Sequence, residues 1–194
     1  YDEALGHFVA ALDLDPGYIL AKRNIGIAYH AGGYLREAIR TFVDLIRKDE
    51  QDVVAIRQLA EIARGEKQWP QAAALLERAG RLTHDAGALR DAGLIALYEL
   101  KQHARARTLL EESLKYDSKQ PQVTALLKRM PASSGPPDPT VKPPTPEHIV
   151  QVGDSMIAQT DPTKGLVPNV ARPSVPEPGV SRPNPGGTHR RNSP

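Results

Sequence analysis

A step of 34 residues carries this chain onto itself. The shift superposes Ala4, Ala38, Ala72 and Ala106, and likewise Phe8, Phe42, Leu76 and Leu110. The same step links Ile25, Leu59, Gly93 and Leu127, then Gly26, Ala60 and Leu94, so a single register without insertion is expected from Tyr1 to about Arg129. A unit that repeats at this length is a supersecondary motif unable to bury its apolar face alone, and it does so by stacking on its neighbours.

Within each unit the apolar residues recur at helical spacing, as in Ile25, Ala28 and Tyr29, then Ala38, Phe42, Leu45 and Ile46. This predicts two amphipathic helices per unit. Turn chemistry falls between them: Asp15-Pro16-Gly17 between units, Gly32-Gly33 between helices, and Pro70 in the first turn of a helix. Gly26 and Ala60 are expected to face Ala38 and Ala72, allowing paired helices to approach closely.

An aliphatic-Gly-x-x-Tyr element (Ile25, Gly26, Tyr29), an Ala-x-x-x-Phe element (Ala38, Phe42) and an Asp-Pro close (Asp15, Pro16) resemble the tetratricopeptide repeat family over residues 1 to about 130. The resemblance implies an all-α fold, a right-handed helical-hairpin solenoid. Its expected parts are a partial first repeat, three full repeats and a C-terminal capping helix at Pro121 to Arg129. Since Ala4 is already the small residue of a second helix, another helix is expected upstream of Tyr1. Departures are visible: Gly93-Leu94 reverses the aliphatic-Gly order, and Ala63 and Leu97 replace the aromatic of Tyr29.

The resemblance further implies a concave groove lined by the first helices, which holds extended or helical peptides. Carried along the register, its positions are Arg23, Asn24, Ile27 and His30 in one unit, Arg57, Gln58, Glu61 and Arg64 in the next, and Asp91, Ile95 and Tyr98 in the third. Leu20, Val54, Ala88, Ala92 and Glu99 belong to the same set. Positive charge gathers toward the N-terminal part and negative charge toward the C-terminal part, which predicts a ligand with an acidic stretch near Arg23, Arg57 and Arg64. Of the carboxylate clamp found in chaperone-binding members, only Asn24 is matched, with Val54 and Gln58 at the corresponding places of the next unit.

Other function classes find little in the residues. The net charge is +2 and no basic block exists, so nucleic acid is not an expected partner. Six histidines are scattered without metal-ligand spacing, and zero cysteines leave no thiolate ligand or thiol nucleophile. With no phosphate loop and no nucleophile elbow, neither catalysis nor a cofactor is expected. The expected partner is a protein or peptide. Self-association through the first helix is an alternative, and so is a role as the accessory region of a larger enzyme or of an envelope or secretion assembly. No apolar run is long enough to span a membrane; the compartment stays open, with cytoplasm preferred over periplasm or envelope.

From Pro131 the composition changes, with fifteen of the 18 prolines at or after that residue and no aromatic residue. Eleven large aliphatic residues cannot offset the entropy of ordering 64 backbones, so residues 131–194 are expected to be a disordered, proline-rich tail. Thr145-Pro146-Glu147 is nevertheless a helix-start signal, and Ile149, Val152, Gly153, Met156 and Ile157 fall on one face of a short helix over 146–158. Two readings stand: a transient helix in a linker, or a motif that folds on a partner or on the repeats of its own chain. VARP at 170–173, VSRP at 180–183, the P-x-x-P matches and Arg190-Arg191-Asn192-Ser193 are further short motifs.

Overall fold

The computed structural model describes residues 2–130 and 144–160, and among them there are nine α-helices and no strand. These are α1 (Asp2–Leu14), α2 (Ile19–Ala31), α3 (Leu35–Lys48), α4 (Val53–Gly65), α5 (Trp69–Thr83), α6 (Ala86–Tyr98), α7 (His103–Tyr116), α8 (Pro121–Arg129) and α9 (Pro146–Gln159). From α1 to α8 each helix packs on the next. Connections of two to four residues between packed helices make each neighbouring pair a hairpin. Pro70, Pro121 and Pro146 sit in the first turns of α5, α8 and α9, where their missing N–H costs no hydrogen bond.

The second helices α3, α5 and α7 begin at Leu35, Trp69 and His103 and keep the 34-residue step. The first helices do not: α2 and α4 begin at Ile19 and Val53, but α6 begins one residue early, at Ala86. A two-residue connection, His84 and Asp85, enters α6, and the longer connection from Glu99 to Gln102 restores the register before α7. The expectation of one register without insertion is therefore corrected. The slip accounts for the reversed Gly93-Leu94 order, because Gly93 is the true counterpart of Gly26. A Cβ on Gly26 would lie 2.7 Å from the Phe42 ring, and one on Gly93 would lie 2.9 Å from Leu110 Cγ. Phe42 and Leu110, rather than the facing alanines, are what demand a small residue there.

A second backbone feature follows the register. Gly33, Lys67 and Lys101, spaced by 34, all adopt left-handed conformation at φ 81°, 56° and 57°. Each lies just past the C-terminus of a first helix. The first unit fills the position with glycine, which meets no steric penalty, and the next two hold a lysine under strain.

The core is continuous from α3 to α8, built on Ala38, Phe42, Leu59, Ala72, Leu89, Ala106 and Leu110, with a smaller cluster of Leu5, Ile25 and Ala28 joining α1 to α2. It also contains Ile149, Val152 and Met156 of α9. This helix rests mainly on α3, with further contact to α4 and α5. The expectation of disorder from Pro131 onward is thus corrected for 146–159: α9 finds its apolar partners on the repeats, a contribution that counting the tail by itself omits. The motifs at 170–173, at 180–183 and near Arg190 lie outside the described residues, as do the P-x-x-P matches beyond 160.

Candidate functional site

The exposed faces of α2, α4 and α6 carry the residues expected to line the groove. On α2, Asn24 and Ile27 are exposed and His30 is half-buried; on α4, Arg57, Glu61 and Arg64 are exposed and Gln58 is half-buried. The slip in α6 changes the third unit. Ala88 and Ala92 are buried, so neither is a groove residue, and Ile95 packs partly against the core. Their true counterparts in α4 are Ala55, Leu59 and Ile62, all core residues. Leu94 occupies the place matching Ile27, and Arg90 the place matching Arg23 and Arg57. Asp91 and Tyr98 remain outward, Tyr98 being 54% exposed.

Arg23, Arg57 and Arg90 therefore form one repeated position, and two of them serve the frame. Arg23 Nε donates to Asp52 at 3.0 Å, and Asp52, with its side chain 1% exposed, also accepts from Ala55 N at 3.0 Å as the N-cap of α4. Arg57 donates to Asp85 at 2.6 Å, and Asp85 caps α6 by accepting from Gly87 N at 2.8 Å and Ala88 N at 3.2 Å. Each arginine thus ties its own first helix to the start of the next one. Burial pushes the Asp85 carboxyl upward, but the N–H groups of Ala88 and Gly87 and the Arg57 guanidinium outweigh it, leaving Asp85 below the usual carboxylate range. The next cap, on α8, is Gln120, which is not acidic, and Arg90 turns to Asp91 at 3.0 Å.

Arg64 likewise pairs with Glu61 at 3.2 Å. The graded field read from the sequence, positive at one end and negative at the other, is corrected at its positive end: Arg23, Arg57 and Arg64 each pair with a carboxylate, within a unit or across one connection. What the face exposes without compensation is apolar, in Leu20, Ile27, Val54 and Tyr98.

Between α6 and α8 this face opens into a cleft of about 520 Å³. Leu94, Val123 and Leu126 supply apolar surface, Tyr98 stands exposed at the wall, and Arg90 and Arg129 contribute guanidinium groups. Arg129 lies in the last turn of α8, where a cation complements the helix dipole. The chemistry suits an apolar side chain with a carboxylate beside it. Sequence reasoning reached Tyr98 but missed Arg90, Leu94, Leu126 and Arg129. The signal was present in the recurrence of Arg23, Arg57, Arg90 and of Gly26, Ala60, Gly93, which line up once a single residue is dropped before α6.

A second cleft, of about 470 Å³, lies among α1, α2 and α3 and is lined by Leu12, Ile25, Tyr29 and Leu45 with Lys22 and Lys48. Contact with Lys48, followed by burial, lowers the Lys22 ammonium below the usual lysine range. Desolvation, aided by Glu37, raises the Tyr29 hydroxyl. Among the described residues no group of three or more His, Asp or Glu is arranged to hold a metal ion, and no helix is long and apolar enough to cross a membrane. No protein-family model matches the chain, and no curated protein does.

Proposed function

We propose that this chain is a non-catalytic adaptor, a right-handed helical-hairpin solenoid of tetratricopeptide type. Its first-helix face would form the concave groove that binds a partner peptide. The observation that carries the reading is the cleft between α6 and α8: it opens on the ligand-binding side implied by the repeat and combines Leu94, Tyr98 and Leu126 with Arg90 and Arg129. An extended peptide would seat an apolar side chain against Tyr98 and Leu94, and an adjacent carboxylate at Arg129. Exposed Ile27 and Val54 offer further apolar contacts toward the N-terminal units. Desolvated aromatic and arginine positions of this kind dominate the binding energy of interfaces.

The test is photo-crosslinking from position 98 followed by pulldown, with the double variant Tyr98→Ala, Arg129→Glu as the comparison. Both side chains are exposed, so helicity and melting should hold while partner recovery drops at least tenfold, an order set by losing one anchor and one charge pair. Unchanged recovery of the same partner with the double variant refutes the site. Arg23 and Arg57 are unsuited to this test, because removing them also loosens the caps of α4 and α6.

A further inference from the structure

The second helices keep the 34-residue step, so the seams between successive second helices compare position by position. In the seam between α5 and α7, Arg81 pairs with Glu112 at 2.9 Å, and the buried Glu77 holds Arg105 at 2.7 Å. The seam is closed by its own charges. One unit earlier, between α3 and α5, the places of Arg81, Glu112 and Glu77 are taken by Arg47, Arg78 and Val43. Two arginines repel and cannot close a seam, and this is the seam that α9 fills.

The fit is specific. Asp154 of α9 accepts from Arg47 Nη2 at 3.1 Å through each carboxylate oxygen. Glu147 lies in the field of Arg78, whose Nε is buried without a hydrogen-bond partner among the described residues. Gly153 lies directly on Val43, where a Cβ would run into Val43 Cγ2. In the seam between α1 and α3 the places of Arg47 and Arg78 belong to Asp13 and Asp44, which would repel the same carboxylates. Only one of the three seams therefore has the charge for an acidic helix.

We propose that the seam between α3 and α5 is a receptor site for an acidic amphipathic helix, distinct from the first-helix face, and that α9 is its resident ligand. A partner helix of the same chemistry displaces it. Such a helix has apolar residues at the spacing of Ile149, Val152 and Met156, a glycine at the place of Gly153, and a carboxylate directly after it. Because α8 and α9 belong to one chain, α9 meets the seam intramolecularly, at an effective concentration on the order of millimolar. An untethered helix of equal affinity at micromolar concentration loses that competition. The seam thus admits a partner when α9 is released or when the partner binds far more tightly.

The experiment uses the full chain and a fluorescein-labelled synthetic peptide of residues 146–159 as probe, read by anisotropy. Gly153→Leu places a side chain against Val43 and should release α9, which hydrogen exchange over 147–159 verifies. The released chain should bind the peptide saturably, and the unaltered chain should need at least about tenfold more peptide for half-saturation. Adding Arg47→Glu to the released chain should weaken binding about threefold to tenfold, since the pair is half exposed, and a peptide carrying Asp154→Lys should recover it. If Gly153→Leu disturbs the far-UV circular dichroism of the repeats, Met156→Asp makes the same comparison. Absence of binding to the released chain, equal half-saturation in both chains, or indifference to Arg47→Glu each overturns the proposal. So does persistent protection of α9 in both release variants.

Discussion

Asp85 offers the sharpest test of whether the repeated arginines belong to the frame. Asp85→Ala removes the cap of α6, which holds two backbone N–H groups, at a cost of about 0.5 to 2 kcal/mol. It also removes the partner of Arg57; with those side chains 46% and 32% exposed, solvent screening holds that pair to at most about 1 kcal/mol. Together the change should cost about 0.5 to 3 kcal/mol in urea denaturation followed by circular dichroism. Asp85→Asn keeps an acceptor for the N–H groups and should cost about 0.5 to 1 kcal/mol, and Arg57→Ala about 0.5 kcal/mol. The carboxyl is held below its ordinary value in the folded state, so its contribution is complete above the unfolded aspartate value of about 3.9 and disappears as pH falls through the lower folded value. The gap between the unaltered chain and Asp85→Asn should therefore shrink in acid. A gap that stays constant well below pH 4, or an Arg57→Ala cost equal to that of Asp85→Ala, would refute this account of the connection.

Three further outcomes are expected. Glu77→Ala removes a partner only 3% exposed from Arg105, which keeps Gln102, and from Arg81, which keeps Glu112, and should cost about 2 to 3 kcal/mol in the same denaturation assay. Lys67→Gly and Lys101→Gly relieve left-handed strain at positions where the first unit already has Gly33, and each should raise stability by about 0.5 to 1 kcal/mol after the entropy of the unfolded glycine is deducted. Ending the chain after Met130 uncovers Val43 and Leu59 beneath Gly153 and should lower the melting temperature by several degrees in calorimetry; an unchanged transition would mean that α9 contributes nothing to the repeats.

The helices were legible because their signals are local and redundant. Apolar spacing at 3.6 residues placed α2 to α8, proline in the first turn marked the starts of α5 and α8, glycine marked the end of α2, and the spacing located the core residues Ala38, Phe42 and Leu59. The slip in α6 showed in the sequence only as the reversed Gly93-Leu94 order, because a fixed step of 34 puts Leu94 in the place of Gly26 and Ala60 and one reversed pair reads equally well as a substitution. Three-dimensional packing removes the ambiguity, since Gly93 lies against Leu110 as Gly26 lies against Phe42. The consequence for the site was direct: a one-residue shift on a helix turns the side chain by about 100°, which put Leu94 in the place of Ile27 and Ile95 in the place of Ile62. The docking of α9 was legible only in half. Its amphipathic face stands in the sequence, but the receiving surface is assembled from α3, α4 and α5, and no single stretch of sequence contains it.

The same comparison separates framework charge from charge left over for recognition. An arginine that recurs at 23, 57 and 90 serves what the units share, the link from one first helix to the cap of the next. That link lapses at Arg90, where the next cap is Gln120, and the cleft between α6 and α8 opens at that place. On the opposite set of helices the closing pair Arg81–Glu112 gives way to Arg47 and Arg78, and there α9 is bound. At both places a pairing that closes one repeat junction is missing at the neighbouring one; Arg90 turns to Asp91 and Arg47 to Asp44 and Asp154, and apolar surface stays available to a ligand. In a stack of near-identical units, side chains that satisfy their neighbours have little left for a partner. The residues to alter in a search for binding are accordingly Arg47 and Arg78 in one seam, and Arg90, Leu94, Tyr98 and Arg129 in the other cleft.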